Sequence, residues 1–224
     1  MSEELMTILE KGVLQLGVWE TIYMTLLSTV IAYIFGLPLG VILTVTSKEG
    51  IKPCPVVNKS LGFIVNIFRS IPFIVLLVAF LPIAKFVVGK SYGNAAMIVM
   101  LVVAAAPYVA RMVESSIKEV DSGVIEAAES MGTSTFKIIY KVLIPEAKPA
   151  LIVGAVISTV TILSYSAMAS TIAGGGLGAI AIVWGHQRSN PEITWICVIL
   201  IVLIVQAIQE IGMRIATKID KRIK

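Results

Sequence analysis

Runs of apolar residues long enough to cross a lipid bilayer constrain this chain more than any other feature. A helix rises about 1.5 Å per residue, so about 20 apolar residues cross a hydrocarbon core of about 30 Å. Such runs lie at Thr21–Thr46, Leu61–Phe86, Asn94–Val113, Ala150–Ala173 and Ile193–Ala216. A β-barrel would need segments of about ten residues that alternate apolar and polar, and these runs do not alternate. The chain of 224 residues is 57% hydrophobic and 14% charged, whereas about a quarter of the residues in a soluble domain are charged. The expected fold is an all-α integral membrane protein, a single transmembrane domain over residues 1–224 with five transmembrane helices.

Basic residues orient those helices. Lys48, Lys52 and Lys59 follow the first run; Arg111, Lys118, Lys137, Lys141 and Lys148 follow the third; Arg214, Lys218, Lys221, Arg222 and Lys224 form the tail. The other side carries only Lys11, Lys85, Lys90 and Arg188, with Arg69 left over. Positive residues stay in the cytoplasm, so the N-terminus is expected outside and the C-terminus inside. The net charge of +4 follows this loop pattern and is not a nucleic-acid footprint. The acidic start MSEELMTILE lacks the positive segment of a cleaved signal peptide. Cys54 and Cys197 are expected near opposite membrane faces, too far apart for a disulfide.

Hydrolytic chemistry in the membrane would need a nucleophile with a base, or paired carboxylates. No run holds Asp, Glu, His or Lys at its centre, and Glu20, Glu114 and Glu210 are expected at span ends. Ion-driven carriers use intramembrane acids or bases, so energy for uphill transport is expected from another protein, although Na⁺ sites made of carbonyls stay open. No catalytic residue is assigned, and no metal site either. His186 is the single histidine, without Cys or carboxylate partners at ligand spacing, and is expected in an aromatic belt with Trp184 and Trp195. The stretch AGGGLG (Ala173–Gly178) has no strand before it and no Lys after it. A tight turn is expected there, not a phosphate loop.

A solute path has two groups of candidate residues. Arg69 is costly inside the bilayer, so LGFIVNIF is expected to lie along the interface as an elbow, with the span starting near Ser70. The alternative is an Arg69 that faces an aqueous path. In the fourth run, hydroxyls recur at Ser158, Thr159, Thr161, Ser164, Tyr165, Ser166 and Ser170. They either bond back to their own helix and pack on neighbours, or line a path with Tyr165, Ser166 and Met168 near a constriction. Methionine suits a gate, being flexible and apolar.

Between the third and fourth runs stands EAAESMGTSTFKIIYKVLIPEAKP, residues 126–149, too polar for lipid and too regular for a loop. Asp121 or Ser122 can cap a helix whose stripe is Val124, Ala127, Ala128 and Met131, with Glu126 and Glu129 turned elsewhere. Gly132 stands where a left-handed C-cap belongs. A hydroxyl among residues 133–135 can cap a second helix with the stripe Phe136, Ile139 and Leu143. Pro145 is expected to end that helix, and Pro149 to open span four. Such a pair could rest on headgroups, or serve as a docking knob for a cytoplasmic partner.

These residues resemble the EAA loop of ABC-importer permeases, whose pattern is E-A-A, three residues, Gly, nine residues, then I-x-L-P. Glu126, Ala127, Ala128, Gly132 and Pro145 match, and Val142 and Ile144 replace the Ile and Leu. GVWETIYMTLLSTVIAYIFGLPLGV, NIFRSIPFIVLL, AAPYVARMVE and YSAMAS with AGGGLG are similar to the methionine-importer branch of that family. The resemblance implies a permease in a bacterial cytoplasmic membrane that works as a homodimer by alternating access. Two cytoplasmic ATPases would hold the ATP and Mg, none being bound by this chain. Glu126, Ala127, Ala128, Met131, Gly132, Phe136 and Pro145 would couple to them, and an external binding protein would deliver methionine. A permease for another polar amino acid stays open, as does a self-contained channel or ion-coupled carrier.

Overall fold

The computed structural model describes residues 3–170, 172 and 174–220. All regular structure among them is helical. The expectations for Ala173, Lys221, Arg222 and Lys224 fall outside the described residues. In chain order the elements are α1 (Glu3–Glu10), α2 (Val13–Val45), α3 (Pro55–Ser70), α4 (Phe73–Ala79), α5 (Leu81–Val88), α6 (Asn94–Lys118), α7 (Ser122–Ser130) and α8 (Thr135–Ile138). A π-helical turn, Ile139–Leu143, leads into α9 (Ile144–Ala169); α10 (Leu177–Ile180), a second π segment (Ala181–His186) and α11 (Pro191–Ile219) follow. Among the described residues, four helical stretches are long and apolar enough to cross a membrane, or five if the bent pair α3 and α4 forms one span.

One of the expected runs is rebuilt by proline. The second run is three helices, not one. Pro72 has no N–H and forces the residue before it out of the helical region, so α3 stops at Ser70 and α4 restarts from Pro72 as N-cap. Pro82 sits in the first turn of α5, where a missing donor costs nothing. Pro145, by contrast, ends nothing: helical structure runs without a break from Thr135 to Ala169, and Pro149 lies inside it. The π turn is what accommodates Pro145. Ile144 N–H bonds to Ile139 O, one residue further back than in an α-helix, which widens the turn where a proline ring would otherwise crowd the Lys141 carbonyl. Pro38 and Pro107 also stand inside uninterrupted helices.

The described residues group into two compact units. Unit 1 holds the residues up to Ile31, Ile71–Ala105 and Thr159–Gln209; unit 2 holds Ala32–Ser70, Ala106–Ser158 and the residues from Glu210 on. In unit 1, Met24, Leu77, Met97 and Met100 fill a core with the small residues Ala84, Ala96 and Ala169. Between helices in lipid, close van der Waals fit stabilises rather than water exclusion, and flexible thioethers fill such gaps. A second cluster joins Ile8 and Leu14 to Leu177, Ile180, Ile193 and Cys197.

Unit 2 rests on glycine. A Cβ on Gly36 would stand 2.6 Å from Val109 Cγ1, and one on Gly40 2.6 Å from the Ala110 carbonyl, so α2 and α6 meet backbone to side chain at both positions. Asn58 Nδ2 donates to Leu43 O at 2.6 Å, which ties the start of α3 to the end of α2. Cys54 and Cys197 are both free thiols.

Candidate functional site

The 121–145 segment is assembled by local hydrogen bonds. Asp121 is extended and caps α7, its carboxylate accepting from Gly123 N–H at 2.7 Å. At the other end, Gly132 N–H bonds to Glu129 O at 2.8 Å and Thr133 N–H to Ala128 O at 3.2 Å. Those two bonds define a Schellman motif, which needs a left-handed residue at its turn; Gly132 has φ +71°. Ser134 caps α8 by its extended backbone, without a side-chain bond. The chain thus reverses onto itself, and α7 packs on α8 and on the π turn.

Packing splits both expected stripes. Val124, Ala127, Met131 (77%) and Phe136 (76%) are exposed, with Tyr140 beside them in sequence, whereas Ala128 (3%), Ile138 and Leu143 (1%) are buried. Ala128 is therefore not on the open face as expected; it backs the Schellman turn under Thr133. Leu143 likewise holds the element to its own unit, and Ile139 is half-buried. Glu126 is exposed and, with Glu129, Lys118 and Glu49, edges a cavity of about 450 Å³ floored by Ile125 and Leu143. Pro145 is exposed just past the π turn. What remains outward is an apolar knob, Val124 and Met131 from α7 and its cap and Phe136 from α8, the last on helical structure continuous with α9.

On α9 the path candidates also point in different directions. Ser164 and Met168, four residues apart and so on one face, are exposed. Tyr165 is half-buried and stacks on Phe73 with ring centroids 4.3 Å apart and 5° between planes. Ser166 is buried, its hydroxyl donating to Leu163 O at 2.8 Å, so it does not line an open face as expected. Ser164 and Ser170 also donate to their own helix, to Val160 O and Ala167 O. Back-bonding satisfies these hydroxyls in the apolar helix. Arg69 is exposed in the last turn of α3, where a cation complements the helix dipole.

Two polar constellations were not legible beforehand. In unit 1, Glu20 belongs to a clamp: Asn94 Nδ2 donates to Glu20 Oε1 at 2.8 Å, Gly176 N–H to Glu20 Oε2 at 2.8 Å, and Gly175 N–H to Asn94 Oδ1 at 3.0 Å. Leu177 N–H meets Thr21 Oγ1 at 2.9 Å. The glycines serve this turn, because Gly176 has φ +92° and a Cβ on Gly175 would strike the Glu20 carboxylate. In unit 2, Glu114 is buried between Arg111 and Lys118. Their i, i+3 and i, i+4 spacing was visible in the sequence, but the reach of Arg111 to α3 was not. His186 is exposed, and Arg188 lies 3.8 Å above the Trp184 ring.

Residues 36–224 match the family of binding-protein-dependent transport system inner membrane components, and the chain belongs to that family. Within it, the chain is similar over most of its length to two curated relatives. The probable D-methionine transport system permease protein MetI of Vibrio cholerae is 44% identical over 214 residues, 96% of this chain and 95% of the relative. The methionine import system permease protein MetP of Bacillus subtilis is 46% identical over 204 residues, 91% and 92% of the two chains. A chain of the MetNI methionine ABC transporter, solved in inward-facing conformations, superposes with TM-score 0.93 at 42% identity, covering 99% of this chain and 100% of that one.

Proposed function

We propose that this chain is the membrane-spanning subunit of an ATP-driven methionine importer. Similarity over nearly the full length to relatives named as methionine permeases supports the cargo. The exposed knob of Val124, Met131 and Phe136, with Glu126 beside it, supports the coupling. It is an apolar surface that would be unfavourable in water unless something covers it. A cytoplasmic ATPase is the occupant this reading assigns, and the chain itself hydrolyses nothing. Helical structure runs from Thr135 through α9 to Ala169, so in this reading a push on Phe136 is passed directly into α9. Alternating access follows when two such subunits enclose a path, with the N-terminus outside, the C-terminus and the knob in the cytoplasm, and a binding protein presenting methionine from outside.

Reconstitution in proteoliposomes with the ATPase and binding protein tests this. Methionine uptake is expected only with all three components and ATP, and uptake by this chain without any ATPase overturns the reading. Competition by other amino acids separates methionine from a different polar cargo.

A further inference from the structure

The charge cluster on α6 takes no part in the docking knob, yet it reaches another helix. Glu114 is 7% exposed and holds one cation on each oxygen: Arg111 Nη1 donates to Oε2 at 2.6 Å and Lys118 Nζ to Oε1 at 2.8 Å. With one arm of the guanidinium so held, Arg111 Nη2 donates to Asn66 Oδ1 at 2.8 Å and to the Gly62 carbonyl at 3.3 Å, one turn apart on α3. A guanidinium is planar with fixed N–H directions, so Glu114 on one side aims the bonds on the other. A Cβ on Gly62 would stand 3.4 Å from Nη2, an ordinary contact distance, so the guanidinium lies directly against α3 at this position. Asn66 is in turn one helical turn before Ser70, whose hydroxyl donates to the Asn66 carbonyl at 2.8 Å. The cluster occupies the last turns of α6, and only a short junction separates it from the Asp121 cap of α7.

We infer that Arg111 is a positioning residue that makes α3 move as one body with the junction of α6 and α7, so that a displacement of the knob reaches the end of α3 at Ser70. The inference rests on the coupling role proposed above and adds the contact through which α3 takes part. Without that contact the ATPase still docks and hydrolyses, but α3 lags behind α7 and ATP is consumed with little transport.

The test uses the full complex in proteoliposomes and reads methionine transported per ATP hydrolysed. Asn66→Ala removes the acceptor. Arg111→Lys keeps a charge for Glu114 but cannot span both helices. Each should lower the ratio about tenfold, the scale of couplings carried by such networks. Asn66→Asp restores an acceptor for the guanidinium and should recover the ratio. Spin labels at Lys59 on α3 and Ser130 on α7, both exposed, supply a second measurement in a background with Cys54 and Cys197 replaced by Ser. Their distance distribution should be narrow in the native chain, broad in Asn66→Ala and narrow again in Asn66→Asp. A native ratio in Asn66→Ala, or an unchanged distance distribution, overturns the inference. If the native complex fails to transport methionine, the proposed function falls instead, and the label pair still decides the role of Arg111.

Discussion

Substituting Gly132 separates two reasons for a glycine in the coupling element. Its φ of +71° closes the Schellman turn, and a Cβ built there meets nothing within 4 Å. Cost therefore comes from the backbone alone and not from size. A residue with a Cβ in the left-handed region costs about 1–2 kcal/mol, the upper end or beyond for a β-branched one, while Asn adopts it readily. Each 1.4 kcal/mol is about tenfold in an equilibrium constant. If the turn must form for docking, Gly132→Val weakens ATPase binding up to about thirtyfold, Gly132→Ala about fivefold and Gly132→Asn least. The assay is a titration of the purified, detergent-solubilised chain with the ATPase, read as a dissociation constant, with helix content checked by circular dichroism. An order that follows side-chain volume, with Asn as damaging as Val, would refute the reasoning and place a partner surface directly against Gly132.

Two further outcomes follow from burial. Phe136→Ser removes an exposed ring and should leave the thermal midpoint of the isolated chain near native while weakening ATPase association by at least about tenfold. Ile138→Ser, two residues on and fully buried, should instead destabilise the chain by about 2–5 kcal/mol, and native ATPase affinity in Phe136→Ser would remove the docking role of that face. Gly40→Ala places a methyl 2.6 Å from the Ala110 carbonyl, forces α2 and α6 apart and should cost about 1–3 kcal/mol, read as a lower unfolding temperature in detergent.

Local rules carried much of the architecture. Apolar length dictates membrane helices because an unsatisfied backbone in lipid costs several kcal/mol per group, roughly, and a helix satisfies its own. Asp121 as cap and Gly132 as left-handed turn were readable for the same reason: each depends on a residue's own conformational or hydrogen-bonding freedom. Apolar length alone did not reveal that Pro72 divides the second run, which the structure builds as three helices.

Tertiary structure decided which side of each element meets the rest of the chain. Helical periodicity puts Val124, Ala128 and Met131 in one stripe, but only packing turns Ala128 inward and leaves Met131 out. Pro145 illustrates the same limit: its missing donor predicts a helix end, and a π turn at Ile139–Leu143 removes the conflict by shifting the pairing one residue. Glu20 finds its partners at Asn94 and Gly176, and Arg111 finds Asn66, across distances in sequence that no local pattern encodes. Sequence by itself determined that the chain crosses a membrane and carries a polar, capped element between two spans, because those depend on solvation and backbone geometry. Which side chains that element offers outward depended on long-range packing, and only the folded chain decided it.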